Sequence, residues 1–151
     1  MVFEKYEYFN YILTNIQSLD VRGEKCGNEV EIITFKHHGE SNQCWKASLK
    51  DGGVVLSSLL QNKEDKLLQV LEENIDTGKV QTYHELNSLN QKWYLEDVNK
   101  ADQTFVIKNL SSNKCLQNNG RGKQVTTAEP NNVSSRHIWK IERTDFPSQK
   151  S

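Results

Sequence analysis

Apolar residues along this chain occur in short runs separated by polar or glycine-containing segments. The run from residue 30 to residue 35 largely alternates apolar and polar side chains, and Asp51-Gly52-Gly53 is a turn signal between two further runs. Short runs rich in branched and aromatic residues and bounded by turns predict β-strands. The pattern predicts an all-β fold with strands at residues 8–15, 17–21, 30–35, 45–49, 54–57, 67–70, 80–83, 93–95, 104–107, 114–117, 124–127 and 139–141.

The chain's three tryptophans lie at nearly equal intervals of 48 and 46 residues. Each follows a related tripeptide, which is Asn42-Gln43-Cys44 before Trp45, Asn90-Gln91-Lys92 before Trp93 and Arg136-His137-Ile138 before Trp139. A constant period of this length indicates a repeated supersecondary unit. The chain is therefore predicted to contain one structural unit three times.

A second marker keeps step with the tryptophans. It is a short apolar strand with a central polar residue, found as Leu19-Asp20-Val21, Leu68-Gln69-Val70 and Leu116-Gln117-Asn118. The polar residues precede the tryptophans by 25, 24 and 22 positions. Two markers in step predict a single threefold-repeated domain over residues 1–151, with repeats at about 8–52, 53–103 and 104–143 and a tail at 144–151.

One stretch also fits a different secondary structure. Residues 56–74 contain leucines at positions 56, 59, 60, 67, 68 and 71 with charged residues between them. This spacing is compatible with an amphipathic helix. We predict strands here because the same residues match the apolar strand of the other two repeats.

The motifs together resemble those of the ricin-type β-trefoil lectins. In that family, Gln-x-Trp closes each of three repeats and a Leu-Asp-Val strand comes earlier in each. The resemblance extends from about residue 8 to residue 142, with the Asn-Gln pair lost in the third repeat. It implies a β-trefoil of three four-stranded repeats with pseudo-threefold symmetry, and a protein that binds galactose- or N-acetylgalactosamine-type glycans. It assigns structural roles to Gln43, Gln91, Trp45, Trp93 and Trp139.

The resemblance also implies a set of binding residues. A sugar presents hydroxyl groups and one face of C–H groups, so its site needs an aromatic ring together with a carboxylate and amides. In the resembled lectins these come from the Asp of Leu-Asp-Val, the Gln and aromatic residue of the third strand, and the Asn before Gln-x-Trp. The best site implied lies in the second repeat, at Gln69, Gln81, Tyr83 and Asn90, with glutamine in place of the Asp.

The other two repeats carry altered versions of this set. The first supplies Asp20, Glu31 and Asn42. Its aromatic position falls on Ile33, unless Phe35 or His37 supplies a ring from the longer loop. In the third repeat the corresponding residues are Gln117, Ala128 and Arg136, so we predict that this repeat does not bind the family's ligand.

Composition and charge exclude several other functions. The net charge is −1 with no basic run, so the electrostatic footprint of a nucleic-acid-binding protein is missing. No segment reaches the ~20 apolar residues that span a bilayer. The first six residues carry charge where a signal peptide needs an apolar segment. We expect a cytoplasmic protein, or one released without a leader, whose Cys26, Cys44 and Cys115 are free thiols.

No arrangement of residues indicates catalysis. His37 and His38 lie near Glu40, but adjacent histidines project differently and no third metal ligand is suitably spaced. Cys44 occupies the middle of Gln-x-Trp, a strand position expected to be partly buried. We predict no enzyme activity, no metal and no cofactor.

Two further expectations concern partners. The alternative to a lectin is a β-trefoil protease inhibitor or protein-binding module that acts through exposed loops, here predicted at residues 36–41 and 72–79. Individually weak sugar sites become useful through valency, so a homodimer is also possible.

Overall fold

The computed structural model describes residues 8–60 and 68–144. Within them the chain forms twelve β-strands and short 3₁₀ turns, with no α-helix, so the predicted all-β class is confirmed. The first repeat contains β1 (Tyr8–Thr14), β2 (Gln17–Val21), β3 (Val30–Lys36) and β4 (Trp45–Lys50). The second contains β5 (Gly53–Ser58), β6 (Gln69–Glu73), β7 (Val80–His84) and β8 (Trp93–Asn99). The third contains β9 (Thr104–Asn109), β10 (Cys115–Gln117), β11 (Thr126–Ala128) and β12 (Trp139–Thr144).

The first and last strands of the repeats close into a ring. Antiparallel pairing runs from β1 to β4, β5, β8, β9, β12 and back to β1. The second and third strands form three hairpins, β2–β3, β6–β7 and β10–β11. Each repeat contributes two ring strands and one hairpin, and the resulting six ring strands and three hairpins make up the β-trefoil expected from the motifs.

The three tryptophans occupy equivalent places in the core. Trp45, Trp93 and Trp139 are buried, and each indole Nε1 donates to a backbone carbonyl of its own repeat. The acceptors are Leu19, Leu71 and Leu116, at 3.2, 3.0 and 3.1 Å respectively. Burying an indole requires a partner for its N–H group, and the same strand supplies that partner in every repeat.

The three hairpins contact one another through one equivalent residue each. Two of these residues begin or lie in β3 and β7, and the third directly precedes β11. Ile32, Val80 and Val125 are each fully buried. The Val125 N–H donates to the Ile32 carbonyl at 2.7 Å, and the Val80 N–H donates to the Val125 carbonyl at 2.9 Å. These contacts fix the hairpins relative to one another, so loops from one repeat come to lie against the next.

The competing helix at 56–74 is not present where the structure describes this stretch. Residues 56–58 belong to β5 and residues 69–73 to β6, while residues 61–67 lie outside the described residues. β12 extends to Thr144, one residue into the predicted tail, and residues 145–151 also lie outside them. No helix among the described residues has the length and apolar character that crossing a membrane would need.

Candidate functional site

In the first repeat, the Gln-x-Trp glutamine fastens a loop to a buried carboxylate. Gln43 Nε2 donates to Asp20 Oδ2 at 2.8 Å and to the Lys36 carbonyl at 2.9 Å. Gln43 Oε1 accepts from the backbone N–H groups of His38 and Gly39 at 2.9 and 3.2 Å. Gln43 is itself fully buried. Its predicted structural role therefore has a physical basis, because one amide joins β2, β3 and the loop between β3 and β4.

The second repeat forms the same arrangement around a different residue from the one predicted. Gln91 Nε2 donates to Glu72 Oε1 at 3.0 Å and to the His84 carbonyl at 2.9 Å. Gln91 Oε1 accepts from the Leu86 N–H at 2.8 Å. Glu72 is therefore the counterpart of Asp20, and the assignment of Gln69 to this position is wrong.

Strand register explains the error. The sequence pattern aligns Leu68 with Leu19, whose carbonyl accepts from the Trp45 indole. In the structure, the carbonyl that accepts from the Trp93 indole belongs to Leu71. This is a shift of three residues, and an odd shift moves a side chain to the other face of a strand. All five residues of β6 are buried, which hides the alternation that would have revealed the register. A usable signal was present, since Leu71-Glu72 repeats the Leu19-Asp20 pattern.

Register also identifies the aromatic position of the first repeat. Tyr83 lies opposite Val70, and the corresponding pair in the first repeat is Phe35 opposite Ser18. Phe35 is therefore the counterpart of Tyr83, and the placement of the aromatic position at Ile33 is wrong. The Phe35 side chain is 40% exposed, so part of its ring is accessible to a ligand.

The first-repeat site brings Asp20, Asn42 and Phe35 to one face of the β2–β3 hairpin. Asp20 pairs with Ile33, and Phe35 lies two residues further along the same face. Asn42 Nδ2 donates to Asp20 Oδ1 at 3.1 Å. Asn42 Oδ1 is buried and has no hydrogen-bond partner within the described part of the chain. A carboxylate, an amide with an open acceptor and an aromatic ring therefore lie together here.

The structure does not bring Glu31 into this group. Its Oε2 accepts from Arg22 Nε at 2.7 Å, and its strand neighbour is Gln81 of the second repeat. The prediction that Glu31 forms part of the first site is therefore wrong. His38, by contrast, lies close to the site, with Nε2 3.8 Å from Asp20 Oδ2.

The second-repeat site contains Glu72, Gln81 and Tyr83 on one hairpin face. Glu72 Oε2 accepts from Gln81 Nε2 at 2.9 Å, so both carboxylate oxygens are held by amides. The half-buried Tyr83 ring stacks on His84 with a centroid distance of 4.7 Å. Asn90 differs from Asn42, because its Nδ2 donates to the Glu73 carbonyl at 3.0 Å.

The third repeat has no aromatic side chain at the position of Phe35 and Tyr83. Gln117 holds the carboxylate position, with Oε1 2.9 Å from His137 Nε2, and Ala128 holds the aromatic position, as predicted. Arg136 donates to Asn119 Oδ1 at 2.8 Å. The expectation that this repeat does not bind sugar stays a prediction, and the missing aromatic ring supports it.

Asp20 gives the candidate site a testable pH dependence of stability. Burial raises the pKa of its carboxyl above the ordinary value, against the opposing effects of Gln43, His38 and Asn42. The folded protein therefore binds a proton at Asp20 more readily than the unfolded chain. The free energy of unfolding therefore falls as pH rises from the ordinary pKa of an aspartate through the raised pKa of Asp20. We expect wild-type protein to lose stability relative to Asp20→Asn over that interval.

Urea unfolding of both proteins at a series of pH values measures this difference. Asp20→Asn also changes the hydrogen bond with Gln43 at every pH, so the informative quantity is how the difference varies with pH. A difference that stays constant would contradict the desolvation of Asp20.

The residues considered for catalysis do not form a reactive group. Burial raises the pKa of the Cys44 thiol to about 11, so it stays protonated at neutral pH and is a poor nucleophile. His37 Nδ1 lies 2.7 Å from Ser18 Oγ. Within the described residues, no three His, Cys, Asp or Glu side chains are placed to hold a metal ion, and no disulfide joins the cysteines.

The two loops predicted for protein binding are not equivalent. Residues 36–41 form a partly exposed connection that Gln43 fastens at three backbone groups. Residues 72–79 are not a continuous exposed loop, because Glu72 and Glu73 are buried in β6. The prediction for this second segment is therefore wrong at its beginning.

Comparison with known proteins agrees with the fold and the motifs. Residues 89–147, from the second Gln-x-Trp motif through the third repeat, match the family described as ricin-type beta-trefoil lectin domain-like. No curated protein sequence is significantly similar to the chain. The family match confirms, over these residues, the resemblance inferred from the motifs.

Solved structures extend the likeness to most of the chain. A designed threefold-symmetric protein, ThreeFoil, superposes with a TM-score of 0.75 at 19% identity, covering 89% of this chain and 97% of that one. The earthworm R-type lectin C-half in complex with GalNAc gives 0.67 at 19% identity, covering 91% and 99%. The Macrolepiota procera ricin B-like lectin in complex with lactose gives 0.69 at 18% identity, covering 95% and 99%. The chain spans only 18% of a similar mosquitocidal holotoxin. At identities this low, the superpositions establish the β-trefoil fold alone.

Proposed function

We propose that this protein is a non-catalytic lectin that binds galactose- or N-acetylgalactosamine-type glycans at its first and second repeats. The observation that carries the proposal is the arrangement found in both repeats. A buried carboxylate, Asp20 or Glu72, is held by the Gln-x-Trp glutamine, and an aromatic ring, Phe35 or Tyr83, lies on the same hairpin face. The ring offers a stacking surface for sugar C–H groups, and the carboxylate accepts from sugar hydroxyls.

The similar structures support the choice of sugar. Two β-trefoil lectins that resemble this chain were solved with GalNAc and with lactose, a galactose-containing disaccharide. Asp20 is buried, and His38 Nε2 lies 3.8 Å from its Oδ2. Sugar binding at the first repeat would therefore require His38 to move aside.

Two sites on one chain would also provide valency without a dimer. Each site would be shallow and individually weak, but two sites that engage a branched or surface-bound glycan together raise the apparent affinity. The first repeat would use Asp20, Phe35 and Asn42, and the second would use Glu72, Gln81 and Tyr83. The role of Asn90 would be to position the second site, since it binds the Glu73 carbonyl.

A glycan array tests the proposal. We expect the purified protein to bind galactose-terminated glycans, and free galactose or N-acetylgalactosamine to compete this binding away while glucose does not. Circular dichroism and a cooperative thermal transition should establish that the sample is folded. A folded protein that binds no glycan would contradict the proposed function and favour binding of a protein partner through residues 36–41.

A further inference from the structure

An arginine from the third repeat lies on the aromatic ring of the first-repeat site. The Arg121 guanidinium carbon is 5.1 Å from the centroid of the Phe35 ring, within the range of a cation–π interaction. Arg121 is exposed, and it lies far from Phe35 in sequence. The third repeat thus places a positive charge on the surface that a sugar would use in the first.

The backbone around Arg121 is fixed against the first repeat. The Gly122 N–H donates to the Thr34 carbonyl at 2.6 Å, and Thr34 Oγ1 lies 3.0 Å from both Asn118 Oδ1 and the Gly120 carbonyl. Arg22 Nη2 donates to the Gly122 carbonyl at 2.7 Å. The position of Arg121 beside Phe35 therefore follows from the packing of two repeats.

The charge of Arg121 has no carboxylate partner across residues 8–60 and 68–144. Glu31 pairs with Arg22 at 2.7 Å. Asp20 is buried and accepts from Asn42 and Gln43. The second site differs, because its Tyr83 ring stacks on His84. An unpaired guanidinium at the edge of a candidate sugar site can serve the ligand, since guanidinium binds sulfate and carboxylate groups through paired hydrogen bonds.

We propose that the first-repeat site prefers galactose-type sugars that carry an anionic substituent, a sulfate or a carboxylate, and that Arg121 binds this substituent. The inference rests on the proposed lectin function. A neutral sugar that stacks on the ring face covered by Arg121 displaces the guanidinium, and it receives from it only hydrogen bonds to hydroxyl groups. An acidic sugar forms an ion pair with the displaced guanidinium. The displacement of Arg121 from the Phe35 ring therefore favours binding of the acidic sugar.

The experiment isolates the first site by using Tyr83→Ala, which removes the ring of the second. Isothermal titration compares galactose with its 3-, 4- and 6-sulfates and with galacturonic acid, which separates sulfate from carboxylate as the preferred group. We expect at least one acidic sugar to bind about tenfold more tightly than galactose. This advantage should shrink as salt rises, because ions screen an exposed pair.

Two further substitutions in the Tyr83→Ala protein test whether Arg121 binds the acidic group. Arg121→Gln should remove the advantage of the acidic sugar and bind galactose at least as well as the parent. Lys123→Gln is the matched control, since it removes the same charge from the same loop and should keep the advantage.

The outcomes separate the two proposals. Equal affinities for neutral and acidic sugars, or equal losses from Arg121→Gln and Lys123→Gln, would overturn the role of Arg121 and leave the lectin function standing. Absence of binding by wild-type protein to every neutral and acidic sugar would overturn both.

Discussion

Replacing Trp93 with alanine is expected to lower the free energy of unfolding by about 3–5 kcal/mol, the usual result of truncating a buried tryptophan. The Trp93 side chain is 1% exposed and belongs to the hydrophobic core. The substitution leaves a cavity and also removes the donor to the Leu71 carbonyl, so a buried acceptor loses its partner. Urea unfolding followed by circular dichroism measures the change.

A matched control for this experiment is Ile75→Ala. Ile75 is 63% exposed in the turn between β6 and β7, so its truncation should change stability by less than about 0.5 kcal/mol. If Trp93→Ala were as stable as this control, the tryptophan would not be a core residue and the structural role of the Gln-x-Trp motif would be refuted.

Combining Phe35→Ala with Tyr83→Ala is expected to remove most of the glycan affinity while the protein stays folded. Each ring supplies the stacking surface of one proposed site, and losing it should weaken that site by about 1–2 kcal/mol or more. Both rings are partly exposed, so their removal should have a modest effect on stability. In titration with a galactose-type ligand, wild type should show two sites of full affinity, each single variant should keep one of them, and the double variant should keep neither.

Val98→Ala serves as the control, because Val98 is a 44% exposed apolar residue of β8 outside both candidate sites. It should bind as wild type does. Undiminished binding by the double variant would show that neither ring contributes, and the site assignment would then be wrong even though the fold is not in question.

The Gln-x-Trp motif connects the fold with the candidate sites. The tryptophan is buried and fastened to the second strand of its repeat. The glutamine two positions earlier is also buried, and it holds the carboxylate on that same strand. The residues that stabilise the hairpin therefore also position the carboxylate, so a candidate site forms without a separate scaffold.

The sequence was least informative about which residue of a strand enters the site. The acidic residue precedes its tryptophan by 25 positions in the first repeat and by 21 in the second. The loops between these two points differ in length, so spacing alone could not fix the register of β6. Spacing therefore favours Gln69 over Glu72 and Ile33 over Phe35, which the register in the structure reverses.

The fold can be inferred from the residue order alone. Three buried indoles at a near-constant period, each with a Gln or His two residues earlier, require the same local packing three times, and that requirement can be read from residue order. The sequence motifs also named Tyr83, Gln81 and Asn42, which lie beside a carboxylate or on its hairpin face in the structure. Their role in sugar binding stays a prediction.

The composition and charge of the candidate sites depend on how the strands and repeats pack together. Register depends on which apolar side chain enters the core, and that choice is made by packing against the whole ring of strands rather than by the local run of residues. The position of Arg121 depends on contacts between the first and third repeats, which are distant in sequence. Motifs report what each repeat contains, whereas the contacts between repeats determine what each candidate site presents to a ligand.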